Sequence, residues 1–436
     1  MRILIVSTFF PPMNAIASHR PYSWAKYWAK EGHKITVLTQ EENAYEKFPL
    51  SLDCANFHLL RIPEIKILSL LRKKKNDSSH SLEKHTPPNA RSFLSQTVTR
   101  LVDATGSFSS CRMPALADLW ILPALKAIEN SKKKWDFVVS TAGPYSVHIL
   151  ADKIKSKGFA RHWVADYRDL WCDNHNFRGI FPLTLIERFI EKRLIKRADA
   201  ITTVSRLLGK ILEEKYLLPN VHIIENGYDP SDWKSLKKER IFPDDGKIRI
   251  VYTGTLYKKT ESLSPLFSSL IELNETREYK KPLEKLEILI AGHEKIGLNE
   301  MIEEWKVSRW VRYIGQVGRE DSLRMQRDAD YLLFLGSQDK TSAAGVLTGK
   351  LFEYLHAETN IFALGIEEHY EPGQLIIKAR AGELVAKNKQ SVKTFLIKCL
   401  HKKNEENKRN QDILQSYQRE TLAKKFLNEI LYKSLS

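Results

Sequence analysis

Residues 341–364 combine small residues, a lysine and one acid at a spacing that suits phosphate chemistry. Gly345, Gly349 and Lys350 come just before an amphipathic segment that carries Glu353, and a short apolar run follows. A loop of small residues that opens a helix exposes backbone N–H groups at the positive end of the helix dipole, where a diphosphate can bind. Glu353 could then accept hydrogen bonds from sugar hydroxyls. The alternative is a plain turn and a solvated acid, because short glycine loops are weak signals.

A second set of polar residues follows predicted strands in the first half of the chain. His19 and Arg20 come after the first strand, and Asp166, Arg168 and Asp169 crowd around the end of a later one. Ligands of doubly wound sheets bind at the carboxyl ends of strands. Arg168 could grip an anionic group, and Asp169 could orient an acceptor hydroxyl or take its proton. The alternatives are a structural salt-bridge cluster and, for His19 and Arg20, ordinary surface positions at a helix start.

Two lysines follow the first predicted strand of the second half. Residues 248–260, IRIVYTGTLYKKT, indicate a buried strand and a turn at Gly254, and then come Lys258 and Lys259. Parallel strands end at the same edge of a sheet, so this loop is expected to face the glycines and lysine of residues 341–364. Several groups that attract phosphate are stronger evidence for a diphosphate site than a single group is. Taken singly, each lysine is as readily explained as solvated surface.

The length and composition of the chain limit its domain organisation and the kind of protein that it can be. A chain of 436 residues exceeds what one core usually supports, which predicts two domains. Its four cysteines lie far apart and without a CxxC pair, which indicates neither a disulfide framework nor a zinc site. No apolar run approaches the roughly 20 residues of a membrane span, and the first residues are too short for a secretory signal. We therefore expect a cytoplasmic protein.

The net charge of +16 calls for an anionic partner. Nucleic acid, an acidic membrane face and a phosphorylated substrate are the candidates. No nucleic-acid-binding motif is present, and aromatic residues do not alternate with the basic runs, so nucleic acid is not expected. Residues 64–75 fit a basic amphipathic segment that could lie on an anionic bilayer. The alternative for residues 64–91 is a solvated helix followed by a loose loop.

Apolar runs alternate with amphipathic segments along most of the chain, which predicts an α/β fold with parallel, doubly wound sheets. Leu422, Phe426 and Ile430 form one apolar stripe near the end of the chain. The predicted domains are 1–232, with 64–91 as a basic, flexible insertion, and 247–412, joined by a polar linker at 233–246 and followed by a terminal helix within 413–436.

The order of these pieces resembles that of a known family. The segments RILIVSTFFPP, ADYRDLW, DAITTVS, IIENGYD, IVYTGTLY, VRYIGQV and GKLFEYL follow one another as in glycosyltransferase family 4 enzymes of the GT-B fold. The resemblance covers nearly the whole chain except residues 64–91. It is closest to the branch that builds bacterial cell-surface polysaccharides.

The resemblance implies two Rossmann-like domains that face each other across a cleft, with the last helix crossing back to the first domain. It implies transfer of a sugar from a nucleotide diphosphate sugar to an acceptor hydroxyl with retained configuration, no cofactor and no obligatory metal. Glu353 would bind the ribose hydroxyls, and Gln316 and Val317 would lie by the base. Residues and resemblance together predict a site made of donor-binding Gly254, Thr255, Lys258, Lys259, Gln316, Val317, Thr348, Gly349, Lys350, Leu351 and Glu353, acceptor-side Arg20, Ser146 and Asn226, and catalytic His19, Arg168 and Asp169.

Two positions depart from the family pattern. Gly345 stands where the first acid of a glutamate pair is usual, eight positions before Glu353. Arg168 and Asp169 stand where many relatives carry a histidine. Leaving-group charge could still be met without a metal by Lys259, Lys350 and backbone amides.

The predicted function is therefore a retaining glycosyltransferase that acts on a glycan or lipid-linked acceptor, peripheral on the inner membrane face. The basic surface and residues 64–75 would hold it there. Two other functions fit the same sequence. One is a catalytically inactive sugar-nucleotide-binding scaffold, and the other is a GT-B epimerase that acts on the nucleotide sugar itself.

Overall fold

The structure is a computed structural model that falls into two compact units. The first comprises Met1–Ile224 and Ala423–Ser436, and the second comprises Glu225–Leu422. The described residues are 1–41, 48–50, 52–63, 105–106, 111–174, 177–256, 263–294, 297–336, 344–401 and 408–434. The predicted membrane segment 64–75 and the lysines Lys258 and Lys259 lie outside them.

The first unit is built on a seven-stranded sheet in which every neighbouring pair is parallel. Its strand order is β3-β2-β1-β4-β5-β6-β7. The strands are β1 (Arg2–Val6), β2 (Lys34–Gln40), β3 (His58–Ile62), β4 (Trp135–Thr141), β5 (Ala160–Tyr167), β6 (Ala200–Thr203) and β7 (His222–Ile223). The helices are α1 (Ile16–Lys30), α2 (Ile121–Ser131), α3 (Ser146–Ser156), α4 (Leu183–Arg197) and α5 (Arg206–Tyr216).

Strand β1, which lies inside this sheet, is buried on both faces. Leu4 and Val6 pack in one apolar cluster, and Ile3 and Ile5 pack in another. Side chains alternate between the two faces of a strand, so a strand covered on both sides must be apolar throughout. This explains why the continuous apolar run at the start of the chain forms a central strand.

The end of the chain packs on the first unit. Phe426 packs against both Trp24 and Trp28, with its ring centroid 5.1 Å from each of theirs. Trp28 Nε1 donates a 3.0 Å hydrogen bond to the carbonyl of Ala423. Aromatic packing and a satisfied indole N–H together hold this segment on α1.

The second unit contains a six-stranded parallel sheet with the order β10-β9-β8-β11-β12-β13. The strands are β8 (Ile248–Thr253), β9 (Leu286–Ala291), β10 (Val311–Gly315), β11 (Tyr331–Leu335), β12 (Asn360–Leu364) and β13 (Gly382–Val385). The helices are α6 (Pro230–Lys234), α7 (Ser264–Glu275), α8 (Arg277–Lys280), α9 (Leu298–Glu304), α10 (Arg319–Asp328), α11 (Gly349–His356), α12 (Glu371–Lys378), α13 (Lys389–His401) and α14 (Gln411–Ser416). Helix α15 (Arg419–Phe426) begins in the second unit, and its residues from Ala423 onward belong to the first.

Residues 233–246, predicted as the linker, belong to this second unit. Trp233, Ile241 and Phe242 are partly buried against one of its apolar clusters. The N–H of Ile241 donates a 2.7 Å hydrogen bond to Asp328 Oδ2. The chain passes from one unit to the next between Ile224 and Glu225.

In both sheets the strand order reverses beside the first strand of the unit. β1 lies between β2 and β4, and β8 lies between β9 and β11. This order is that of the doubly wound Rossmann fold, which binds ligands where the order reverses. The predicted pair of Rossmann-like domains is confirmed.

Candidate functional site

The turn after β8 in the second unit holds a lysine against a glycine. Gly254 has φ +129°, a conformation that residues with a side chain rarely adopt. A Cβ built there would lie 2.7 Å from Lys350 Cε, so the absence of a side chain makes room for the lysine. Lys350 Nζ lies 3.6 Å from the centroid of the Tyr252 ring, close enough for a cation–π contact. The structure thus brings Gly254 and Lys350 together at the point where strand order reverses.

Helix α11 begins at Gly349, so Lys350 is its second residue. Thr348, its N-cap residue, is exposed and makes no side-chain capping bond in the described part of the chain. Asn226 Nδ2 donates a 3.2 Å hydrogen bond to the carbonyl of Leu347 and so ties down the loop before the helix. Asn226 was predicted on the acceptor side, and it belongs to the same unit as α11. Lys350 therefore lies in the first turn of α11, where the N–H of Leu351 donates a 3.1 Å hydrogen bond to the carbonyl of Thr348.

Glu353 is buried one turn into α11 and is held by two side chains from α10. Arg319 Nη1 donates a 2.6 Å hydrogen bond to its Oε1, and Gln326 Nε2 lies 3.3 Å from its Oε2. Arg319 Nη2 also donates to Asp232 Oδ2 at 3.1 Å. Burial alone would lower the pKa of Arg319, but the carboxylates of Glu353 and Asp232 raise it above the ordinary value. Arg319 is therefore a fixed cation.

A second set of hydrogen bonds joins this acid to the end of β8. Gln326 Nε2 donates to Thr253 Oγ1 at 3.0 Å, and the N–H of Thr253 donates to the hydroxyl of Tyr354 at 2.9 Å. Burial raises the pKa of Tyr354, so its hydroxyl stays neutral and can serve as a donor and an acceptor. The acid-bearing helix and the glycine turn thus form one connected structure.

The other residues that concern the donor side lie after β8, after β10 and before α11. Gln316 and Val317 follow β10, and Val317 packs on the apolar cluster that contains Leu351. Thr255 accepts a 2.8 Å hydrogen bond from the Tyr252 hydroxyl through its carbonyl. Gly345, in place of the expected acid, is buried.

Arg319, Gln326 and Asp232 were not predicted from the sequence. Arg319 follows a glycine at the start of α10, three residues after Gln316. Its position close to Gln316 and Val317, which are predicted to lie by the base, was the only signal in the sequence that could have identified Arg319. No motif in the sequence connects it to an acid 34 positions later.

In the first unit, Arg20 forms a buried ion pair with Asp166. Its Nη2 and Nε lie 2.7 Å and 3.0 Å from the two carboxylate oxygens. Strand register places Asp166 between Thr141 and Thr202, whose hydroxyls donate at 2.7 Å and 2.6 Å. Burial raises the pKa of Asp166, but the charge of Arg20 and these hydrogen bonds outweigh it and leave the pKa below its usual value. Arg20 thus stabilises the domain core.

Arg168 joins the loop after β4 to the first turn of α1 at the carboxyl edge of the same sheet. Its Nε donates a 2.6 Å hydrogen bond to the carbonyl of Ala142, and its Nη1 donates to Ala17 at 3.0 Å. Burial lowers the pKa of Arg168. The adjacent Asp169 is exposed, and its carboxylate makes no hydrogen bond or ion pair with a described residue. Of the two, Asp169 is the one placed to meet a second molecule.

The other predicted residues of the first unit are enclosed. His19 and Ser146 are both buried. Ser146 Oγ has no hydrogen-bond partner within the described residues. His148, two residues later on α3, is also buried, and its Nδ1 lies 2.8 Å from Ser140 Oγ. Burial lowers the pKa of His148 to about 3, so its imidazole is neutral at pH 7.

Two kinds of feature are absent from the described residues. No group of three or more histidine, cysteine or acidic side chains there could hold a metal ion. No helix among them is long and apolar enough to cross a membrane.

No protein-family model and no curated protein matches the chain. Solved structures do. Sucrose-phosphate synthase from Thermosynechococcus elongatus aligns with a TM-score of 0.65 and 11% identity over 100% of this chain and 99% of that one. A trehalose-6-phosphate structure from E. coli, bound with UDP-2-fluoro glucose, aligns with a TM-score of 0.62 and 11% identity over 98% of both chains. A putative UDP-N-acetylglucosamine 2-epimerase from Listeria monocytogenes aligns with a TM-score of 0.53 and 14% identity over 98% of this chain and 95% of that one. At these identities the likeness shows the fold, which is the GT-B pair of Rossmann-like domains.

Proposed function

We propose that this chain is a glycosyltransferase that moves a sugar from a nucleotide diphosphate sugar to an acceptor hydroxyl. One observation carries the proposal: Lys350, the start of α11 and the buried Glu353 are joined at the reversal point of the second Rossmann-like sheet. A cation and the amides of a helix N-terminus suit a diphosphate, and a fixed carboxylate one turn away suits the hydroxyls of a ribose. The likeness to a structure bound with UDP-2-fluoro glucose supports this assignment.

Each donor group has a distinct task in this proposal. Lys350 and the first amides of α11 bind the diphosphate and stabilise the negative charge that develops on it as the sugar leaves. Lys258 and Lys259 would add to this charge stabilisation. Gln316 and Val317 lie by the base. We propose that no metal is obligatory for this step, because Lys350 and the helix amides can meet the charge of the leaving group.

Glu353 can bind a ribose although it is already paired. A carboxylate offers about four acceptor positions, and Arg319 and Gln326 occupy one on each oxygen. The two side chains therefore orient the carboxylate and leave lone pairs for two hydroxyls. This makes Arg319 a positioning residue for the donor.

The first unit supplies the acceptor side in this proposal. Asp169 is the exposed carboxylate at the strand edge, and it orients the acceptor hydroxyl or takes its proton. Arg168 holds the loop that carries it. We further propose transfer with retained configuration to a lipid-linked glycan, in the family 4 branch that makes bacterial surface polysaccharides, with the enzyme peripheral at the inner membrane face. The net charge of +16 supports attraction to such an acceptor.

An epimerase that acts on the nucleotide sugar itself is the second candidate, favoured by the likeness to the putative 2-epimerase. It would use the same donor site but no acceptor. A scaffold that binds the nucleotide sugar without turnover is the third, because Gly345 replaces an expected acid.

A panel of nucleotide sugars tested for thermal stabilisation identifies the donor, since a ligand at about 100 times its Kd stabilises the folded state by about 2.7 kcal/mol. Two reactions, release of free nucleotide and conversion of the donor to an isomeric nucleotide sugar, are then measured with and without lipid-linked glycans. A transferase releases nucleotide and extends the glycan. Conversion of the donor to its isomer, without an acceptor and without release of nucleotide, indicates the epimerase, and binding with neither reaction indicates the scaffold. A chain that binds no nucleotide sugar would overturn all three.

A further inference from the structure

Helix α4 and the two residues before it present an unusual outer face. Phe181 is 78% exposed, Phe189 70%, Leu185 55% and Ile186 53%. Large apolar side chains that cluster on a surface mark a contact with another molecule or a membrane. We call these four residues the α4 surface, together with the exposed basic residues of the same helix, which are Arg188, Lys192, Arg193 and Lys196.

The α4 surface is divided along the helix. At 100° per residue, Leu185, Ile186 and Phe189 share one side of α4, opposite the buried Glu187 and Leu194. The same outer side continues towards the C-terminus with exposed lysines and arginines. These basic residues are Arg188, Lys192, Arg193 and Lys196. The helix thus joins an apolar first half to a basic second half.

The two acids of α4 fix its rotation. Glu187 forms a buried ion pair with Arg112 at 2.8 Å, and its Oε1 accepts a 3.1 Å hydrogen bond from Trp171 Nε1. Glu191 lies 3.3 Å from Lys215 Nζ. The helix cannot turn its apolar residues inward without breaking these buried pairs, which is costly.

The burial of both acids also leaves the outer face of α4 without a negative charge. Arg188, Lys192, Arg193 and Lys196 form no ion pair with any residue that the structure describes. An anionic bilayer complements both halves of such a face, because phenylalanine and leucine enter the boundary of the acyl chains while lysine and arginine meet the phosphates. Two copies of the same face offer no acid to these cations, so self-association would either set like charges against each other or cover them with apolar side chains. The charge pattern therefore favours a bilayer over self-association.

We propose that the α4 surface docks the protein on an anionic membrane, with Phe181, Leu185, Ile186 and Phe189 inserted at the interface. This inference rests on the proposed function, because a lipid-linked acceptor gives membrane docking its use. It places the docking surface on the unit that carries Asp169.

Co-sedimentation with vesicles tests the proposal without any donor. The full chain is expected to sediment with vesicles of phosphatidylcholine mixed with phosphatidylglycerol and to stay in solution with phosphatidylcholine alone. Phe181→Ser with Phe189→Ser should reduce the partition coefficient by about tenfold or more. Lys192→Gln, Arg193→Gln and Lys196→Gln together should do the same at low salt and matter less at high salt.

Matched controls come from the same unit. Leu217→Ser removes a side chain that is 89% exposed elsewhere, and it should leave the partition coefficient unchanged. Lys132→Gln, Lys133→Gln and Lys134→Gln remove three exposed charges before β4, so they match the change in net charge. Thermal melting shows whether each variant is folded.

Failure of the docking proposal can be distinguished from failure of the proposed function. Failure of the wild-type chain to sediment, or sedimentation of the α4 variants like the wild type, overturns the proposal. So does a wild-type dimer that the phenylalanine variant makes monomeric without a change in vesicle binding. Stabilisation by nucleotide sugars is measured in the same variants without vesicles, and it should be retained whether or not the docking proposal holds.

Discussion

Arg319 Nη1 donates a 2.6 Å hydrogen bond to Glu353 Oε1, across two helices of the second unit. The acid that stands alone in the sequence is thus one member of a partly buried, hydrogen-bonded group that also contains Asp232 and Gln326. A carboxylate held in this way keeps one orientation, which suits the recognition of two adjacent hydroxyls.

Replacing Glu353 should weaken donor binding. Glu353→Gln removes the charge but keeps the shape, and Glu353→Ala also leaves Arg319 without its partner. We expect the Kd for the donor to rise by about tenfold or more for both variants, and Glu353→Ala to destabilise the fold by about 1–3 kcal/mol. Isothermal titration with the nucleotide sugar and thermal melting measure the two effects. Glu304→Ala, an exposed acid of the same unit, is the control. Unchanged donor affinity in both Glu353 variants would remove this acid from the site.

Gly254→Ala should displace Lys350. The new Cβ would lie 2.7 Å from Lys350 Cε in a backbone conformation that alanine rarely adopts. Gly246→Ala is a matched control, because Gly246 has φ +69° and no described atom lies within 4 Å of the place that a Cβ would take there. Both variants should lose about 1–2 kcal/mol of stability from backbone strain. Only Gly254→Ala should also weaken binding of nucleoside diphosphates, measured by titration. Equal affinities in the two variants would contradict the role of Lys350.

The strands buried on both faces could be predicted because each is a continuous apolar run. The edge strands β3 and β13 were not predicted. Most of their residues are only partly buried, so polar side chains interrupt the pattern. The strands inside each sheet are thus easier to predict from the sequence than the edge strands β3 and β13.

The partners within the candidate site were harder to predict. Asp166 was grouped with Arg168 and Asp169 because they are neighbours in sequence. In the structure it pairs with Arg20, 146 positions away. Asp166 lies inside β5, between two neighbouring strands, whereas Arg168 and Asp169 follow the end of β5, so the three side chains do not share one environment. Pairing across a sheet depends on register and packing, which no local motif records.

Asp166→Asn should destabilise the first unit strongly. The variant leaves the buried Arg20 without a counter-charge, and breaking a buried ion pair costs about 3–5 kcal/mol. Six of the nine tryptophans lie in Met1–Ile224, so intrinsic fluorescence in urea reports mainly on this unit. Asp173→Asn, which removes a partly exposed partner of Lys215, should cost no more than about 1 kcal/mol.

The same pair predicts the response of the first unit to acid. The pKa of Asp166 is lowered in the folded state, so its contribution to stability is complete above the ordinary pKa of 3.8 and is lost as the pH falls through the folded value. The difference in stability between wild type and Asp166→Asn should therefore shrink below about pH 4. A difference that stays constant down to the acid transition would show that folding does not lower the pKa of Asp166.

His148 should make the first unit sensitive to pH in a higher range. Burial lowers the pKa of His148 to about 3, and the charge of Asp166 only partly opposes this. The unfolded chain therefore binds a proton near pH 6.5 that the folded chain does not. Stability is complete above pH 6.5 and is lost as the pH falls towards 3, by at most about 1.4 kcal/mol per pH unit.

His148→Phe should remove this slope while keeping a ring that can stack on Tyr167, whose centroid lies 4.7 Å away. Ser140 would lose His148 as a partner but would still accept a hydrogen bond from Trp163 Nε1 at 2.8 Å. Urea unfolding at pH 7 and pH 5 should show the wild type losing about 2 kcal/mol more than the variant. His58→Phe, at an exposed position of β3, should behave like the wild type. If His148→Phe keeps the full slope, the proton is taken up elsewhere, and His148 is not the neutral core residue that its burial indicates.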